Sequence, residues 1–251
     1  MSGEMLRVEN VSRRFGGLLA VDQAAFFAEQ GRITALIGPN GAGKTTLFAI
    51  ITGFLSATAG RVFFEGADIT GLAPHLLARR GIARTFQITQ PFAGLTVAEN
   101  IAVGSYLHHA RRADALSAAE KVAHEVGLGS MLGRRASDLT VAGRKRLELA
   151  RALAIEPKLL LLDEVLAGLN PSEVRDMVPV IQTIRARGIT IVMIEHVMQA
   201  VMSLAEQVFV LAEGRIIAMG PPDAIAADAR VIEAYLGHGA AARMRGSAAH
   251  G

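Results

Sequence analysis

The sequence predicts an α/β fold, in which a mostly parallel β-sheet is covered by helices on both faces. Short apolar, β-branched segments alternate with segments of helical periodicity along the 251-residue chain, as is typical of this fold class. A glycine-rich phosphate-binding motif joins one of these strands to a helix. Between Thr89 and Thr140, alanine-rich helical spacing replaces the strands. Together these observations predict an α/β core that contains a helical insertion.

Three uninterrupted apolar segments predict the centre of the sheet, because parallel strands covered on both faces lack a polar side. They are "RITALIG" (Arg32–Gly38), "KLLLLDE" (Lys158–Glu164) and "ITIVMIE" (Ile189–Glu195). An antiparallel portion is predicted by "RVFFEG" and by the hairpin-like segment "QVFVLAEGRIIAMG", with Glu213 and Gly214 at its turn. We therefore expect a mixed sheet arrangement around a parallel centre.

Composition limits the kind of protein and its partners. We expect the core over about residues 1–88 and 141–237, the helical subdomain over about 89–140, and a disordered tail over 238–251. No segment approaches the roughly 18 apolar residues that span a bilayer. The net charge of +3 is spread out, so a basic cluster such as Arg79, Arg80 and Arg84 predicts a solvated surface rather than a nucleic-acid site. The sequence lacks cysteine, which agrees with the cytoplasm.

The segment "GPNGAGKTT" matches the pattern G-x-x-x-x-G-K-[ST] in full, after a strand and before a helix. Its glycines let backbone N–H groups surround phosphate oxygens. Lys44 is predicted to reach the β- and γ-phosphates, and the Thr45 hydroxyl to bind Mg²⁺. The predicted nucleotide-binding residues are Gly38, Pro39, Asn40, Gly41, Ala42, Gly43, Lys44, Thr45 and Thr46. This motif specifies a P-loop NTPase core.

Two adjacent carboxylates follow a buried strand elsewhere in the chain. Asp163 and Glu164 end the segment "LLLLDE", and ligands of parallel sheets gather at the carboxyl ends of their strands. Asp163 is predicted to support Mg²⁺ through its water shell. Glu164 is predicted to polarise the water that attacks the γ-phosphate. The chain thus carries the residues of an ATPase.

In the order of its motifs the chain resembles the ATP-binding cassette (ABC) family over nearly its whole length. Phe15 in "RRFGG" matches the aromatic residue that stacks on adenine, and Val21 is assigned to the same nucleotide site. The resemblance implies that Gln87 in "RTFQ" contacts Mg²⁺ and the attacking water. It also implies that His196 in "IEHVM" contacts the γ-phosphate.

The segment "LTVAGRKRLELARALA" aligns with the family's L-S-G-G-Q signature and the helix that follows it. The signature segment, defined as Leu139, Thr140, Val141, Ala142 and Gly143, is implied to cap the ATP of an opposing ATPase. Thr140 keeps the hydroxyl of the family serine, whereas Val141 is a bulkier departure from glycine. Gly168, Leu169 and Asn170 in "LAGLNPSE" match the family's D-loop, which reaches across the dimer interface.

A narrower resemblance, to the ATPase subunits of branched-chain amino acid importers, comes from "RTFQITQPFAGLTVAENI" and "VIEAYLG". It implies ATP and Mg²⁺ as ligands and a second ATPase, either identical or different, as partner. It further implies membrane permease subunits at the cytoplasmic face of a prokaryotic membrane, an indirect substrate-binding protein, and no nucleic acid. The open alternatives are lipid or lipopolysaccharide export, a soluble ABC ATPase, and a P-loop kinase. A kinase would leave Gln87 and His196 unexplained.

Overall fold

A computed structural model describes residues 3–86 and 90–236 of the chain. Its larger sheet has the strand order β10-β9-β3-β8-β7-β6, with all pairs parallel except the hairpin of β9 and β10. The bounds are β3 Ile33–Ile37, β6 Ile82–Arg84, β7 Leu159–Asp163, β8 Thr190–Ile194, β9 Gln207–Ala212 and β10 Arg215–Gly220. The three predicted central strands and the predicted hairpin are confirmed.

The second sheet is antiparallel, with the order β2-β1-β4-β5. Its strands are β1 Glu4–Phe15, β2 Leu18–Glu29, β4 Ala59–Phe64 and β5 Ala67–Asp68. Only β4 was expected from the sequence. The pairing of β1 with β2 has several register shifts, which interrupt the alternation of apolar and polar residues that identifies a strand. A turn at Gly16, where φ is +54°, joins the two strands.

In chain order, the helices of the described residues lie between strands, except for the last two, which follow β10. They are α1 Lys44–Ile51, α2 Pro74–Arg79, α3 Val97–Ser105, α4 Arg112–Glu125, α5 Val141–Leu153, α6 Pro171–Ala186, α7 Met198–Leu204, α8 Pro222–Ala227 and α9 Ala229–Leu236. Short 3₁₀ turns occupy Gly129–Met131 and Ala136–Asp138. The described residues between β6 and β7 thus form helices α3, α4 and α5 and two 3₁₀ turns, as their periodicity predicts. In the described part of the chain, no helix combines the length and the apolar character that crossing a bilayer requires.

Two buried clusters hold these layers together. One lies between the two sheets and includes Leu47 and Phe48 of α1, both fully buried. The other covers the opposite face of the larger sheet and continues into α3, α4 and α5. The predicted buried face of α5 is confirmed, since Leu147 and Leu153 both belong to this cluster. Apolar burial on both faces therefore leaves the strand ends as the place for polar chemistry.

Candidate functional site

Asp163, His196 and the predicted phosphate-binding loop meet at one edge of the larger sheet. Strands β3, β8 and β7 are parallel neighbours, so their carboxyl ends lie side by side. The P-loop follows β3, Asp163 ends β7, and His196 lies two residues beyond the end of β8. The edge thus brings together groups that are far apart in sequence.

Tight backbone packing explains the P-loop glycines. At Gly43, φ is +104° and an added Cβ would lie 2.4 Å from the carbonyl oxygen of Ala20. At Gly38 a Cβ would lie 1.9 Å from the carbonyl oxygen of Leu211. No side chain fits at either position, so both must be glycine for the loop to reach the start of α1 at Lys44.

Lys44 is folded back onto its own loop. Its ammonium nitrogen donates to the carbonyl oxygens of Gly38, at 2.7 Å, and of Pro39, at 3.0 Å. Burial lowers the pKa of Lys44, while the charges of Glu164 and Asp163 oppose that shift. A phosphate would offer this buried ammonium a charged acceptor in exchange for the two carbonyl oxygens.

A cleft of about 730 Å³ opens above the P-loop. Its lining residues are Phe15, Leu18, Ala20, Asn40, Gly41, Ala42, Gly43, Lys44, Thr45, Thr46, Glu164 and His196. Phe15 is partly exposed there, and the guanidinium carbon of Arg13 lies 4.7 Å from the centroid of its ring. A half-exposed aromatic ring beside a phosphate cradle fits a nucleotide base on one side and its phosphates on the other.

The assignment of Val21 to the nucleotide is corrected by its burial. Val21 is fully buried in the cluster between the sheets and is not part of the cleft wall. Its Cγ2 atom would lie 3.3 Å from a Cβ placed on Gly43. Val21 therefore supports the P-loop from behind, because its side chain points into the core rather than into the cleft.

Glu164 adopts a backbone conformation that is uncommon for a non-glycine residue, with φ at +51°. Its N–H donates to the carbonyl oxygen of Ile194 at 2.9 Å, and its own carbonyl oxygen accepts from the ammonium of Lys145 at 3.0 Å. The Glu164 carboxylate lies 3.9 Å from Nδ1 of His196. Strained backbone of this kind persists only where surrounding contacts hold it in place, and here both peptide groups of Glu164 are held.

Two charged residues behind Glu164 were not identified from the sequence. Lys145 is buried on α5, and Glu195 is buried directly before His196. Oε1 of Glu195 accepts the backbone N–H of Leu166 at 2.9 Å. Burial raises the pKa of Glu195 to about 7, and the nearby charge of Glu164 adds to the shift. The only sequence signal for Glu195 is an acidic residue that immediately follows an apolar strand.

Asp163 is completely buried and forms an ion pair with Arg84, whose Nη2 lies 2.7 Å from Oδ2. Burial raises the pKa of Asp163, and the bond to Arg84 opposes this shift. The expectation that Arg84 belongs to a solvated basic surface is therefore wrong. Its side chain is 8% exposed, because β6 pairs with β7 and directs Arg84 toward the buried carboxylate.

The residues present suit Mg²⁺. The Thr45 hydroxyl and the Asp163 carboxylate supply the oxygen donors that this ion prefers, and phosphate oxygens would supply others. Oδ1 of Asp163 is buried and has no hydrogen-bond partner among the described residues, so it is available toward the water shell of an ion. Within residues 3–86 and 90–236, no cluster of three or more His, Cys, Asp or Glu forms a separate metal site.

The signature segment forms the N-terminus of α5. The Thr140 hydroxyl oxygen accepts the N–H of Gly143 at 3.1 Å and thereby caps the helix. Val141 is half exposed at the first helical position, whereas Leu139 and Gly143 are buried. The segment presents a helix N-terminus to solvent, which is a favourable environment for an anion.

The D-loop residues lead into α6. Asn170 caps this helix, since its side-chain oxygen accepts the N–H groups of Ser172 and Glu173, both at 3.0 Å. Gly168 has φ at +78°, which favours glycine, and Leu169 packs partly against the core.

The predicted site residue Gln87 and the predicted disordered tail lie outside the described residues.

The fold and site together define a nucleotide-binding ATPase of the P-loop class. A family model described as ABC transporter matches residues 21–167. A second model, described as branched-chain amino acid ATP-binding cassette transporter, matches residues 215–241. The chain therefore belongs to the ABC transporter family as an ATP-binding cassette.

Relatives match along nearly the whole chain. The high-affinity branched-chain amino acid transport ATP-binding protein BraF of Pseudomonas aeruginosa is 39% identical over 253 residues, covering 94% of this chain and 99% of the relative. The corresponding protein LivG of Escherichia coli is 38% identical with the same coverage. A solved nucleotide-free ATP-binding cassette from an ABC transporter is 34% identical, with a TM-score of 0.86 over 94% of this chain and 100% of that one.

Proposed function

We propose that the chain is the ATP-hydrolysing subunit of an ABC importer, and that its cargo is branched-chain or other hydrophobic amino acids. The observation that carries the ATPase assignment is the meeting of Lys44, Glu164 and His196 around one cleft. The cargo is supported by the transport function for which the relatives BraF and LivG are named, and by the family model that matches residues 215–241.

In the proposed reaction, P-loop N–H groups and Lys44 hold the β- and γ-phosphates, and Phe15 stacks on the adenine. Glu164 polarises the attacking water, and His196, 3.9 Å from its carboxylate, contacts the γ-phosphate. Thr45 and Asp163 would hold Mg²⁺, which neutralises phosphate charge when bound. Gln87 is proposed to contact the ion and the water.

We further propose that the signature segment and the D-loop face a second ATPase. The N-terminus of α5 would approach the γ-phosphate bound by that partner. The Thr140 hydroxyl would donate a hydrogen bond to this phosphate while its oxygen caps the helix. Asn170 would lie at the same interface. The partner is a second copy of this chain or a different ATPase, and closure of the pair would drive transport.

The permease is proposed to bind over a cleft of about 970 Å³ between the sheet edge and the helical segment. We call this the docking cleft; its walls include Phe86, Val103, Tyr106, Leu107 and Arg151. Phe86, Val103 and Tyr106 are exposed apolar side chains, which suits a protein partner. The proposed location of the chain is therefore the cytoplasmic face of the membrane, where a substrate-binding protein would act on it only through the permease.

The test combines a trapped ATPase with reconstituted transport. Glu164→Gln should bind ATP, hydrolyse it very slowly, and form a closed dimer either alone or with the partner ATPase. A monomer in both mixtures under saturating Mg-ATP would contradict the dimer mechanism. Vesicles that contain the permease, both ATPases and the binding protein should take up leucine when ATP is supplied. If vesicles with Glu164→Gln take up leucine as fast as vesicles with the unmodified chain, the transport role is refuted.

A further inference from the structure

Arg84 and Asp163 form a buried ion pair at the predicted Mg²⁺ site. Nη2 of Arg84 lies 2.7 Å from Oδ2 of Asp163, although the two residues are 79 positions apart. Both side chains are almost entirely removed from water. The second oxygen of Asp163, Oδ1, has no partner among the described residues. One carboxylate oxygen is thus held by the guanidinium while the other is left for a ligand.

The position of Arg84 is fixed by aromatic neighbours as well as by charge. Its guanidinium carbon lies 5.3 Å from the ring centroid of Phe86 and 5.9 Å from that of Phe48. The backbone N–H of Phe86 in turn donates to the carboxylate of Glu148 on α5. Arg84 therefore has a defined orientation between the sheet and the signature helix, which a solvated arginine would lack.

The surroundings of the pair connect it to the rest of the site. Arg84 and Asp163 line the docking cleft together with Thr45, the other proposed Mg²⁺ ligand. An ionised carboxylate that is buried without a partner is strongly destabilising, so an empty nucleotide site needs a cation beside Asp163. Within the described residues, Arg84 donates the hydrogen bond to Oδ2 of Asp163 that meets this need.

We propose that Arg84 is the resident counter-cation of Asp163, which neutralises this carboxylate while the nucleotide site is empty and thereby sets the Mg²⁺ concentration that ATP binding requires. The proposal rests on the proposed function, since it takes the cleft above the P-loop as a Mg-ATP site. When Mg-ATP binds, the guanidinium and the ion share one carboxylate and repel each other, because both are cations. Arg84 thus stabilises the empty state and opposes Mg²⁺ binding.

Arg84→Gln and Arg84→Lys separate the charge of Arg84 from its planar fork. Glutamine carries no charge, and its amide nitrogen ends two bonds short of Nη2, whereas lysine keeps the charge without the planar fork. Arg187→Met is the matched control, because it removes an arginine from a different ion pair. Arg187 lies at the C-terminal end of α6 and pairs with Glu125. Each variant is measured as the purified full chain, first without nucleotide and then with a fluorescent, non-hydrolysable ATP analogue.

Two readouts independent of hydrolysis test the role. Arg84→Gln should lower the melting temperature of the nucleotide-free protein by about 4 °C or more. It should also lower the Mg²⁺ concentration for half-maximal analogue binding by about tenfold. Arg84→Lys should need nearly the same Mg²⁺ concentration as the unmodified chain. Arg187→Met should leave this concentration unchanged.

An unchanged or increased Mg²⁺ requirement in Arg84→Gln would overturn the counter-cation role, as would an equal decrease in Arg84→Lys. If Arg84→Gln does not fold, a normal requirement in Arg84→Lys supports the role of charge, and a tenfold change there overturns it. Failure of the proposed function is distinguishable, because the unmodified chain would then bind no analogue at any Mg²⁺ concentration.

Discussion

The ammonium nitrogen of Lys145 lies 3.0 Å from the carbonyl oxygen of Glu164, so the signature helix holds the backbone of the predicted catalytic residue. Lys145 is four residues beyond the first residue of α5, and its side chain is buried. The contact joins the element proposed to face the opposite ATP with the residue whose carboxylate is proposed to act on the chain's own ATP. Movement of α5 would therefore be transmitted to Glu164 through this hydrogen bond.

Lys145→Met should lower kcat for ATP hydrolysis by about tenfold to a hundredfold and leave KM nearly unchanged. The variant removes the donor that holds the strained backbone of Glu164, which misplaces the carboxylate without altering the P-loop. Steady-state kinetics of the assembled transporter provide the measurement. Lys145→Arg should restore most of kcat, and Lys121→Met, at an exposed lysine of α4, should change nothing. A rise in KM at constant kcat would show that Lys145 acts on binding instead.

Glu195→Gln should change how stability depends on pH. Burial raises the Glu195 pKa to about 7 from a usual value near 4.5, so the folded protein binds this proton more tightly than the unfolded chain. The contribution of Glu195 to the free energy of unfolding therefore falls as pH rises from about 4.5 to about 7, by roughly 3 kcal/mol at most. Glutamine keeps an acceptor for the Leu166 N–H and removes this decrease.

Urea unfolding at pH 5 and pH 8 measures the effect. The stability difference between Glu195→Gln and the unmodified chain should shift in favour of the variant as pH increases. Glu120→Gln, at an exposed position on α4, is the matched control and should show no such shift. Equal pH profiles for all three proteins would refute a buried, titrating Glu195.

Replacing Val141 and Ala142 with glycine should strengthen the binding of the opposite ATP by the signature segment. The half-exposed Val141 side chain stands at the helix N-terminus that would approach the opposite γ-phosphate. One additional charge-assisted hydrogen bond there corresponds to about tenfold in apparent ATP affinity. ATP titrations of the assembled transporter measure this apparent affinity. The control is Ala113→Gly at the start of α4, which tests the effect of a glycine on a helix. An unchanged affinity would show that the side chains of Val141 and Ala142 do not weaken binding of the opposite ATP.

The sequence predicted the centre of the fold and its phosphate chemistry because both depend on local patterns. The continuous apolar runs of β3, β7 and β8 and the complete P-loop motif are contained in short segments. The long strands β1 and β2 escaped prediction because bulges break their alternation. Arg84, Lys145 and Glu195 were missed for a different reason. Their partners lie far along the chain, and a charged residue in isolation is most simply interpreted as solvated.

Alanine at three glycines should affect ATP binding to graded extents. Gly43→Ala should abolish it, since a Cβ would lie 2.4 Å from the Ala20 carbonyl oxygen and φ is +104°. Gly41→Ala meets no atom within 4 Å but has φ at +79°, so conformational strain alone should weaken binding by about tenfold. Gly133→Ala has neither obstacle and should bind as the unmodified chain does. Equilibrium binding of a fluorescent ATP analogue ranks the three variants. Equal binding by Gly43→Ala and Gly133→Ala would show that the loop does not hold phosphate in this conformation.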